Sequence, residues 1–441
     1  MLNLLRKIIP RSWLRAYHKA LALLAASWYR HPSNALIVIG VTGTNGKSTT
    51  VNLIAEILRC SGVKVGLTST VNFRVGERLW LNDQKMTMLG RFQLQKLLRQ
   101  MVTAGCRYAV IETSSEGIAQ FRHLGINYDV AVFLNLTPEH IESHGSFEKY
   151  KAAKGELFAH LTRRPKKRLQ GQVIPKVSVV NLVSPYASYF LQFPADQKIG
   201  FSEKGVIMEG VDQMISSREV RVTLEGICFK AGEELFSLPL LGGWNVENAL
   251  AAIAVGTVFQ ISPRQMIEAL AGVRGIPGRM ERIDEGHDFT VIVDYAPQPQ
   301  AIERVYDFLR LIPRGRLIHL LGSAGGGRDK SRRPILGRLA GEQADIVVVT
   351  NEDPYDDDPM EIINQVAAGA LEKGKQDGLN LFRLLDRREA IRKAISLARP
   401  GDLVMLTGKG AEQAIVVANR KKIPWDEREE VRRAIKTLRQ V

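Results

Sequence analysis

Six residues near the start of the chain, Gly43-Thr44-Asn45-Gly46-Lys47-Ser48, combine small side chains with one lysine and one hydroxyl. Small residues let backbone N–H groups face phosphate oxygens, a lysine can meet the terminal phosphates, and a serine hydroxyl can hold Mg²⁺. The apolar run 35–41 before them predicts a buried strand, and the segment after them predicts a helix. The strict phosphate-loop pattern has glycine where Val41 stands. The strand–loop–helix context nevertheless predicts an ATP-phosphate site, which also includes Thr49.

Candidate metal ligands follow the ends of two later predicted strands. Glu112 comes just past the end of the first of these strands, and Glu139, His140 and His144 come after the second. Catalytic groups gather at the carboxyl ends of parallel strands, so these residues are candidates for one site. Because Mg²⁺ prefers oxygen, one imidazole would be a minority ligand beside carboxylates and phosphates. The bland alternative is that each histidine is structural. Lys154 taken alone predicts a lysine on a helix surface.

The elements that must position these residues follow an alternating α/β pattern. Several β-branched runs are separated by helical patterns, which predicts a parallel sheet; the runs are YAVIET, DVAVFLNL, KVSVVNLV, FTVIVDY, RLIHLLG, DIVVVTN and DLVMLTG. Residues 200–241 instead predict short antiparallel strands. The segment GIPGRMER precedes a fresh α/β series, so we place a domain boundary there. The predicted domains are a basic amphipathic helix (1–35), a P-loop-containing ATP-binding domain (36–274) and a Rossmann-like C-terminal domain (275–441).

Composition bounds the class of protein. The chain has 441 residues, 45% hydrophobic and 24% charged, which predicts two or three ordinary soluble domains. Its three cysteines are far apart, which favours reduced thiols in a cytosolic protein. The net charge of +15 suits polyanions, anionic membranes or phosphorylated substrates. Because no aromatic-interleaved basic groove is evident, we expect no nucleic-acid partner. The basic run RRPKKR (163–168) could be such a contact or simply a solvated surface.

The first 40 residues hold six Lys/Arg and no acid. Pro10 suits the first turn of a helix that runs to about Tyr29. The large apolar residues of this segment fall near one helical face; they are Leu5, Ile9, Trp13, Tyr17, Leu21, Leu24 and Trp28. The longest charge-free run is about half of the ~20 residues that a membrane span needs. Two readings stay open: a helix packed on the body, or a basic helix through which residues 1–30 lie on the inner face of an anionic membrane. A signal peptide is disfavoured because an ATP site follows immediately.

Together these motifs resemble the Mur ligase family, most closely its MurE-like branch of muramoyl-tripeptide synthetases. The resemblance extends from about residue 37 to the C-terminus. It rests on ordered motifs, namely GTNGKS, ETSSEG, NLTPEHIESHGSFEKYKAAKGELF, GWNVENALAA, GIPGRMERI, VDYAPQP, GGGRDKSRRP, TNEDP, GKGAEQ and KIPWDEREEVRRA.

The resemblance implies ATP-dependent amide-bond formation through an acyl phosphate, in peptidoglycan precursor synthesis. The substrates would be a muropeptide and a free amino acid. Lys47 would bind phosphate. The implied ligands of two Mg²⁺ ions are Ser48, Glu112, His140 and Lys154, the last carbamylated so that its charge becomes negative. The further ATP contacts would be Asn245, Asn248, Arg279 and Asp294. Substrate would be bound by Thr87, Ser114, Ser115, Arg122, Asp353, Tyr355 and Glu412. As bland alternatives, Asn248 could cap structure and Arg279 could form an interdomain ion pair.

The sequence also departs from the family pattern. The basic helix stands where MurE-like enzymes carry a UDP-sugar-binding domain, so the muropeptide could be UDP-linked or lipid-linked. Tyr355 replaces an arginine of enzymes that add meso-diaminopimelate and disfavours that amino acid. Asp353 and the acids 356–358 would suit a cationic side chain such as lysine or ornithine, unless the acidic run is only a helix cap before Pro359.

The alternative functions are folylpolyglutamate-type glutamate addition, amidation of lipid-linked muropeptide, or a non-catalytic nucleotide-binding scaffold on the membrane. The match of the C-terminal motifs argues against the folate reading. We expect a cytoplasmic monomer, in peripheral contact with the membrane if the second reading of the N-terminal helix holds.

Overall fold

The computed structural model describes residues 11–137 and 145–438, and the chain divides into two compact units. The first runs to Arg221 and also holds Ile227–Pro239 and Trp244–Val273, while the second holds Val222–Gly226, Leu240–Gly243 and the chain from Arg274 onward. Both units combine helices with largely parallel strands, which confirms the predicted α/β class.

Up to residue 273 the chain forms eight described helices and thirteen strands. The helices are α1 Arg11–Trp28, α2 Lys47–Arg59, α3 Arg91–Thr103, α4 Ser115–Ala119, α5 Phe147–Arg163, α6 Ala187–Leu191, α7 Asn245–Val258 and α8 Pro263–Ala271. The strands are β1 Ile37–Thr42, β2 Val65–Thr68, β3 Asn72–Val75, β4 Arg78–Leu81, β5 Tyr108–Glu112, β6 Val130–Phe133, β7 Arg168–Leu169, β8 Gln172–Val173, β9 Val177–Asn181, β10 Gln197–Ser202, β11 Gln213–Thr223, β12 Gly226–Ala231 and β13 Glu234–Leu238. A 3₁₀ turn, Pro32–Ala35, leads into β1.

Eleven of these strands form one sheet in the order β13-β12-β11-β10-β9-β6-β1-β5-β2-β3-β4. Strand β1 lies between β5 and β6 and is parallel to both, with Ile39 opposite Val110 on one side and Val130 on the other. All residues of these three strands are buried, which explains their continuous β-branched runs. Their carboxyl ends lie at the same edge, so the loops that follow them meet there.

The predicted antiparallel segment 200–241 is only partly as expected. Strands β12 and β13 pair antiparallel, which confirms the prediction for the end of the segment. Strand β11 instead pairs with β10 in parallel, so the prediction is wrong there. The alternation of polar and apolar residues in β11 indicates only that one face of the strand is exposed. It does not indicate whether the strand runs parallel or antiparallel to its neighbour.

The remaining chain forms a second sheet, in the order β14-β15-β19-β16-β17-β18. Strand β14 is antiparallel to β15, and the other pairings are parallel. The strands of this sheet are β14 Glu281–Ile283, β15 Thr290–Val293, β16 Leu317–Leu321, β17 Ile346–Thr350, β18 Leu381–Leu384 and β19 Leu403–Leu406. Two further strands, β20 Ala414–Val417 and β21 Lys421–Pro424, pair antiparallel with each other outside it. The helices are α9 Pro299–Arg310, α10 Arg332–Gln343, α11 Pro359–Glu372, α12 Arg387–Ser396 and α13 Glu427–Leu438. This alternation of parallel strands and helices is the expected Rossmann-like arrangement.

The basic run 163–168 is partly interior. The Lys167 ammonium lies 2.5 Å from one Asp129 oxygen, the Lys176 ammonium lies 3.2 Å from the other, and all three side chains are buried. Asp129 also accepts a hydrogen bond from the backbone N–H of Val38 at the start of β1. Burial lowers the pKa of Lys167 to about 8, and the nearby Asp129 opposes that shift. Lys167 is therefore a structural cation and not part of a solvated surface.

Replacing Asp129 with Asn should lower the free energy of unfolding of the first unit by about 3–5 kcal/mol, because two buried ammonium groups lose their counter-charge. Urea unfolding followed by circular dichroism measures the change. The matched control is Lys166→Ala, which breaks a more exposed ion pair with Asp196 and should cost less than about 1 kcal/mol. Equal losses in the two variants would contradict the structural role of the buried cluster.

Candidate functional site

The glycine loop between β1 and α2 depends on glycine at one defined position. Gly46 has a φ of +83°, and a Cβ added to it would lie 2.3 Å from the Asn248 Oδ1 atom. The Lys47 ammonium donates hydrogen bonds to the Gly43 carbonyl at 3.0 Å and the Thr44 carbonyl at 2.7 Å. The loop thus has the strand–loop–helix form that the sequence predicts for phosphate binding.

Helix α7 brings two of the predicted nucleotide-binding residues to this loop. Asn248 accepts a hydrogen bond from the Thr50 hydroxyl at 3.2 Å and donates one to the Asn245 side chain at 2.8 Å. Both asparagines are buried. Because Asn248 lies in the first turn of α7 but contacts α2, it does more than cap its own helix.

Asn135, which the sequence analysis did not name, holds the loop from the other side. Its Oδ1 atom accepts hydrogen bonds from the backbone N–H groups of Thr44 at 3.1 Å and Asn45 at 2.9 Å. Its amide nitrogen donates to the Asn45 carbonyl at 3.1 Å. The available signal was its place two residues beyond β6, the strand beside β1. Asn135 therefore fixes the conformation of the phosphate loop.

The predicted metal ligands Ser48 and Glu112 meet at the same edge of the sheet. Glu112 is 2% exposed, and its Oε2 atom accepts hydrogen bonds from the Ser48 hydroxyl at 2.8 Å and the Thr70 backbone N–H at 2.7 Å. The Thr70 hydroxyl donates to Oε1 at 2.9 Å and lies 3.0 Å from the Thr87 hydroxyl. Thr70, also missed from sequence, therefore orients the Glu112 carboxylate and links it to the segment around Thr87.

These donors fit a magnesium ion, since a carboxylate and a hydroxyl are hard oxygen ligands placed beside a phosphate loop. Within residues 11–137 and 145–438, no group of three or more His, Cys, Asp or Glu side chains could hold a metal. Glu139, His140 and His144 lie outside the described residues, so the predicted imidazole ligand stays a prediction.

Lys154 lies on α5 and is 1% exposed, so its reading as a helix-surface lysine is wrong. Its ammonium donates to the Gly43 carbonyl at 2.7 Å and lies 4.5 Å from the centre of the Tyr150 ring. The Tyr150 hydroxyl lies 3.0 Å from the Thr44 hydroxyl. The structure therefore places Lys154 at the phosphate loop, as the predicted site requires.

The predicted substrate-binding residues of the first unit surround one segment. The Arg122 guanidinium contacts the Met88 carbonyl and donates to the Gln120 side chain at 2.8 Å. Burial lowers the pKa of Arg122, as does the neighbouring Arg91. Met88 also packs closely against Gly117 at the start of α4, where the Ser114 hydroxyl caps the helix and Ser115 is buried. Together with Thr87, these side chains form a second cluster that adjoins Glu112 through Thr70.

Arg279 and Asp294 lie in the second unit, close to each other. The Arg279 guanidinium stacks 4.6 Å from the centre of the Tyr295 ring. The Asp294 carboxylate accepts hydrogen bonds from the backbone N–H groups of Met280 at 2.7 Å and Ala296 at 2.8 Å. Burial raises the pKa of Asp294, and Arg279 opposes that shift. The structure thus shows Asp294 ordering the backbone just before β14 and just after β15, while its contact with a ribose stays a prediction.

Asp353 and Glu412 are joined by a fully buried lysine. The Lys409 ammonium donates to Asp353 at 3.0 Å, to Glu412 at 2.7 Å and to the Ala414 carbonyl at 2.8 Å. The neighbouring Tyr355 has a φ of +53°. The second unit therefore joins Asp353 and Glu412 through Lys409, while Tyr355 follows Asp353 by two residues.

The acidic run 356–358 makes structural contacts. Asp358 caps α11 by accepting the Met360 N–H at 2.8 Å, Asp357 pairs with Arg333 at 3.1 Å, and Asp356 accepts the Asn419 N–H at 2.7 Å. The helix-cap alternative therefore holds for Asp358. These three carboxylates consequently lend no support to the expected preference for a cationic amino acid.

The chain matches two known families. Residues 41–256 match the Mur ligase middle domain, and residues 278–410 match the Mur ligase, glutamate ligase domain. A UDP-N-acetylmuramyl-tripeptide synthetase of Roseiflexus sp. (strain RS-1) is 40% identical over 429 residues, which cover 95% of this chain and 82% of that protein. A UDP-N-acetylmuramoyl-L-alanyl-D-glutamate–2,6-diaminopimelate ligase of Geobacillus kaustophilus (strain HTA426) is 37% identical, with the same coverage.

Two solved structures of similar proteins share the fold of this chain. A UDP-N-acetylmuramoyl-L-alanyl-D-glutamate–2,6-diaminopimelate ligase has a TM-score of 0.61 at 29% identity and covers 92% of this chain and 79% of its own. A Mycobacterium tuberculosis folylpolyglutamate synthase, solved with ADP and AMPPCP, has a TM-score of 0.66 at 19% identity and covers 88% of this chain and 92% of its own. The second is a likeness of fold alone.

Replacing Thr70 with Val should weaken Mn²⁺ binding in the presence of ADP by about 10–100-fold, because Glu112 loses a hydroxyl donor that orients it. Electron paramagnetic resonance of free Mn²⁺ measures this affinity. Thr70→Ser, which keeps the hydroxyl, should bind Mn²⁺ within about threefold of the wild type. Unchanged binding by the valine variant would contradict the orienting role.

Glu352 gives a pH dependence to stability. It is buried, and burial raises its pKa to about 7, with Arg332 opposing and Asp353 adding to the shift. Because the folded carboxyl holds its proton more tightly than the unfolded one, its contribution to stability is present below pH 4.5 and is lost as the pH rises through 7. Glu352→Gln should therefore gain thermal stability relative to the wild type over this range, as measured by scanning calorimetry. A difference that does not vary with pH would contradict the raised pKa.

Proposed function

Because the chain belongs to the Mur ligase family, whose members are ATP-dependent amide ligases that use Mg²⁺, we propose that it joins an amino acid to a muramoyl-peptide carboxylate in peptidoglycan precursor synthesis. One observation carries the proposal. The glycine loop, the Ser48–Glu112 pair and the buried Lys154 converge at one edge of the first sheet.

The proposed reaction has two steps. A carboxylate oxygen of the muropeptide attacks the γ-phosphorus of ATP, and the bond from that phosphorus to the β-phosphate oxygen breaks. ADP is the leaving group, and the muropeptide becomes an acyl phosphate. The amine of the amino acid then attacks the acyl carbon, phosphate leaves, and the new amide nitrogen loses a proton to solvent. Lys47 neutralises charge at the terminal phosphates, and the loop that Asn135 holds offers its remaining N–H groups. Magnesium would be held by Ser48 and Glu112 and would reduce repulsion between the two anions.

We further propose that Lys154 is carbamylated and, with His140, serves a second Mg²⁺. The Lys154 ammonium would first lose a proton, its amine nitrogen would then add to CO₂, and a second proton would be lost to solvent. A cation is thereby replaced with a carbamate anion, whose oxygens are suitable magnesium ligands. The burial of Lys154 and its 2.7 Å contact with the Gly43 carbonyl support this role, because both put the nitrogen beside the phosphate loop.

The remaining assignments divide the substrates between the predicted domains. The muropeptide would lie against Thr87, Ser114, Ser115 and Arg122 in the domain 36–274. Asn245, Asn248, Arg279 and Asp294 would contact ATP. The amino acid would be bound by the domain 275–441, close to Asp353, Tyr355 and Glu412. Tyr355 disfavours meso-diaminopimelate, because a phenol cannot pair with a second carboxylate as an arginine can. We propose a cytoplasmic monomer that contacts the membrane through residues 1–30.

The function is tested by measuring phosphate release from ATP with UDP-linked or lipid-linked muropeptide and a panel of amino acids. The panel includes meso-diaminopimelate, L-lysine and L-ornithine. Release should require both a muropeptide and one amino acid, and mass spectrometry should find the amide product. Absence of any substrate-dependent release would instead favour a nucleotide-binding scaffold, and release with folates would favour glutamate addition.

Replacing Lys154 with Ala should lower kcat by at least about 100-fold, since an electrostatic group at the reacting phosphates is lost. Small carboxylates in solution should partly restore activity if a carbamate is the missing group. Lys149→Ala on the same helix is the control, because Lys149 is exposed and should keep normal activity. Full activity of the Lys154 variant would reject its proposed role.

A further inference from the structure

Helix α1 is packed on the body of the first unit, in agreement with one of the two readings of the sequence. Ala22 and Ala26 are at most 2% exposed, and a Cβ added to Gly125 would lie 3.0 Å from the Ala26 Cβ. Trp13 and Trp28 on the opposite face are 73% and 72% exposed. No helix in the described part of the chain, α1 included, is long and apolar enough to cross a membrane. The face of α1 that meets the unit is therefore the one that carries the alanines.

Two cations of α1 lie on this packed face. At 3.6 residues per turn, Arg15 and Lys19 fall within about 60° of Ala22 and Ala26 around the helix axis. The Arg15 guanidinium and the Lys19 ammonium lie 5.6 Å and 5.1 Å from the centre of the Phe121 ring. Both cationic residues are nevertheless exposed, so their charged groups remain open to a ligand.

Two arginines contact the same turn of the chain. The Arg91 guanidinium donates a hydrogen bond to the Gln120 carbonyl at 2.5 Å, and the Arg122 guanidinium donates one to the Gln120 side chain at 2.8 Å. Phe121 has a φ of +62°, which places it in the left-handed region that a bulky residue seldom adopts. The turn 120–122 therefore gathers four positive charges. We call the residues that carry them the cation cluster; they are Arg15, Lys19, Arg91 and Arg122.

Ion pairs do not neutralise the cation cluster. Among the residues that the structure describes, no Asp or Glu forms an ion pair with any of its four members, and residues 1–55 contain no acid. The Nε–H groups of Arg91 and Arg122 are buried and have no hydrogen-bond partner. Burial lowers the pKa of Arg122, and Arg91 lowers it further, while the exposed Glu116 opposes the shift. The cluster therefore keeps an excess of positive charge, which complements an anion.

The cation cluster adjoins the candidate magnesium site. The Arg122 guanidinium contacts the Met88 carbonyl, and the hydroxyl of the preceding Thr87 lies 3.0 Å from the Thr70 hydroxyl, which in turn donates to Glu112. A substrate that places its reacting carboxylate near Glu112 can therefore extend along residues 87–88 towards the cluster.

We propose that the cation cluster binds the diphosphate group of the muropeptide substrate, with Arg15 and Lys19 adding contacts from α1 to those of Arg91 and Arg122. This inference rests on the proposed function, in which the sugar of the muropeptide is linked through a diphosphate to a nucleoside or to a lipid. A diphosphate of this kind carries about two negative charges and several acceptor oxygens, which guanidinium and ammonium groups bind by charge-assisted hydrogen bonds. A single peptide carboxylate pairs with one arginine and would leave most of the cluster without a counter-charge.

Isothermal titration calorimetry of the full chain without ATP tests this binding. The probes share one muropeptide, which is UDP-linked, farnesyl-diphosphate-linked or free of phosphate. The wild type should bind both diphosphate-linked probes at least about tenfold more tightly than the phosphate-free probe, because charge-assisted hydrogen bonds are added. The tighter of the two diphosphate-linked probes identifies whether a nucleoside or a lipid is the preferred carrier.

The double variant Arg15→Gln/Lys19→Gln should bind the diphosphate-linked probes about tenfold more weakly than the wild type. Its affinity for the phosphate-free probe and its thermal stability should not change. The charge-preserving variant Arg15→Lys/Lys19→Arg should bind within about threefold of the wild type. The control is Arg218→Gln/Arg264→Gln, which removes two exposed cations of the same unit that already pair with acids and should bind as the wild type does.

Equal affinity of the wild type for all the probes, or no binding of any of them, would overturn the proposal. Binding of the diphosphate-linked probes by the glutamine double variant as tightly as by the control would also overturn it. An equal loss of affinity for every probe would show a structural role instead. These measurements need no turnover, so tight binding of diphosphate without phosphate release would refute the proposed reaction and leave this site standing.

Discussion

The parallel pairing of β1 with β5 and β6 is the constraint on which the candidate site depends. It puts the carboxyl ends of three strands at one edge of the sheet. Asn135 therefore contacts the glycine loop, and Glu112 accepts a hydrogen bond from Ser48. None of these contacts is local in sequence, since 64 residues separate Ser48 from Glu112. The site is thus a property of the sheet, and a change that shifts the register of β1 would disperse it.

Buried lysines lie near both ends of β1 and have a different role at each end. Near the start of β1, Lys167 and Lys176 share the Asp129 carboxylate, which offsets the cost of removing their charge from water. At the other end, Lys154 is bonded to the Gly43 carbonyl and lies on the Tyr150 ring. The first arrangement stabilises the fold. The second leaves the nitrogen beside a loop built for phosphate, where a reversal of its charge would have chemical consequences.

Much of the fold and part of the site could be predicted from sequence because their signals are local. The glycine loop and the β-branched runs are contiguous patterns, and Glu112 follows directly from its place at a strand end. Asn135 and Thr70 were missed because one polar residue after a strand gives no sign of which backbone groups it will meet. The direction of β11, the burial of Lys154 and the exposure of Trp13 and Trp28 on α1 could not be predicted for a related reason. Each depends on which neighbour covers a surface, and periodicity reports only that two faces differ.

We propose that Ser48 and Glu112 hold the magnesium ion that accompanies the nucleotide at the phosphate loop. The most direct test is a crystal structure of the chain grown with a non-hydrolysable ATP analogue and Mn²⁺, with anomalous diffraction data collected to locate the manganese. We expect an anomalous peak between the Ser48 hydroxyl, the Glu112 carboxylate and the phosphates. Bound analogue with Glu112 still hydrogen-bonded to Ser48, and manganese absent or bound elsewhere, would contradict this magnesium assignment.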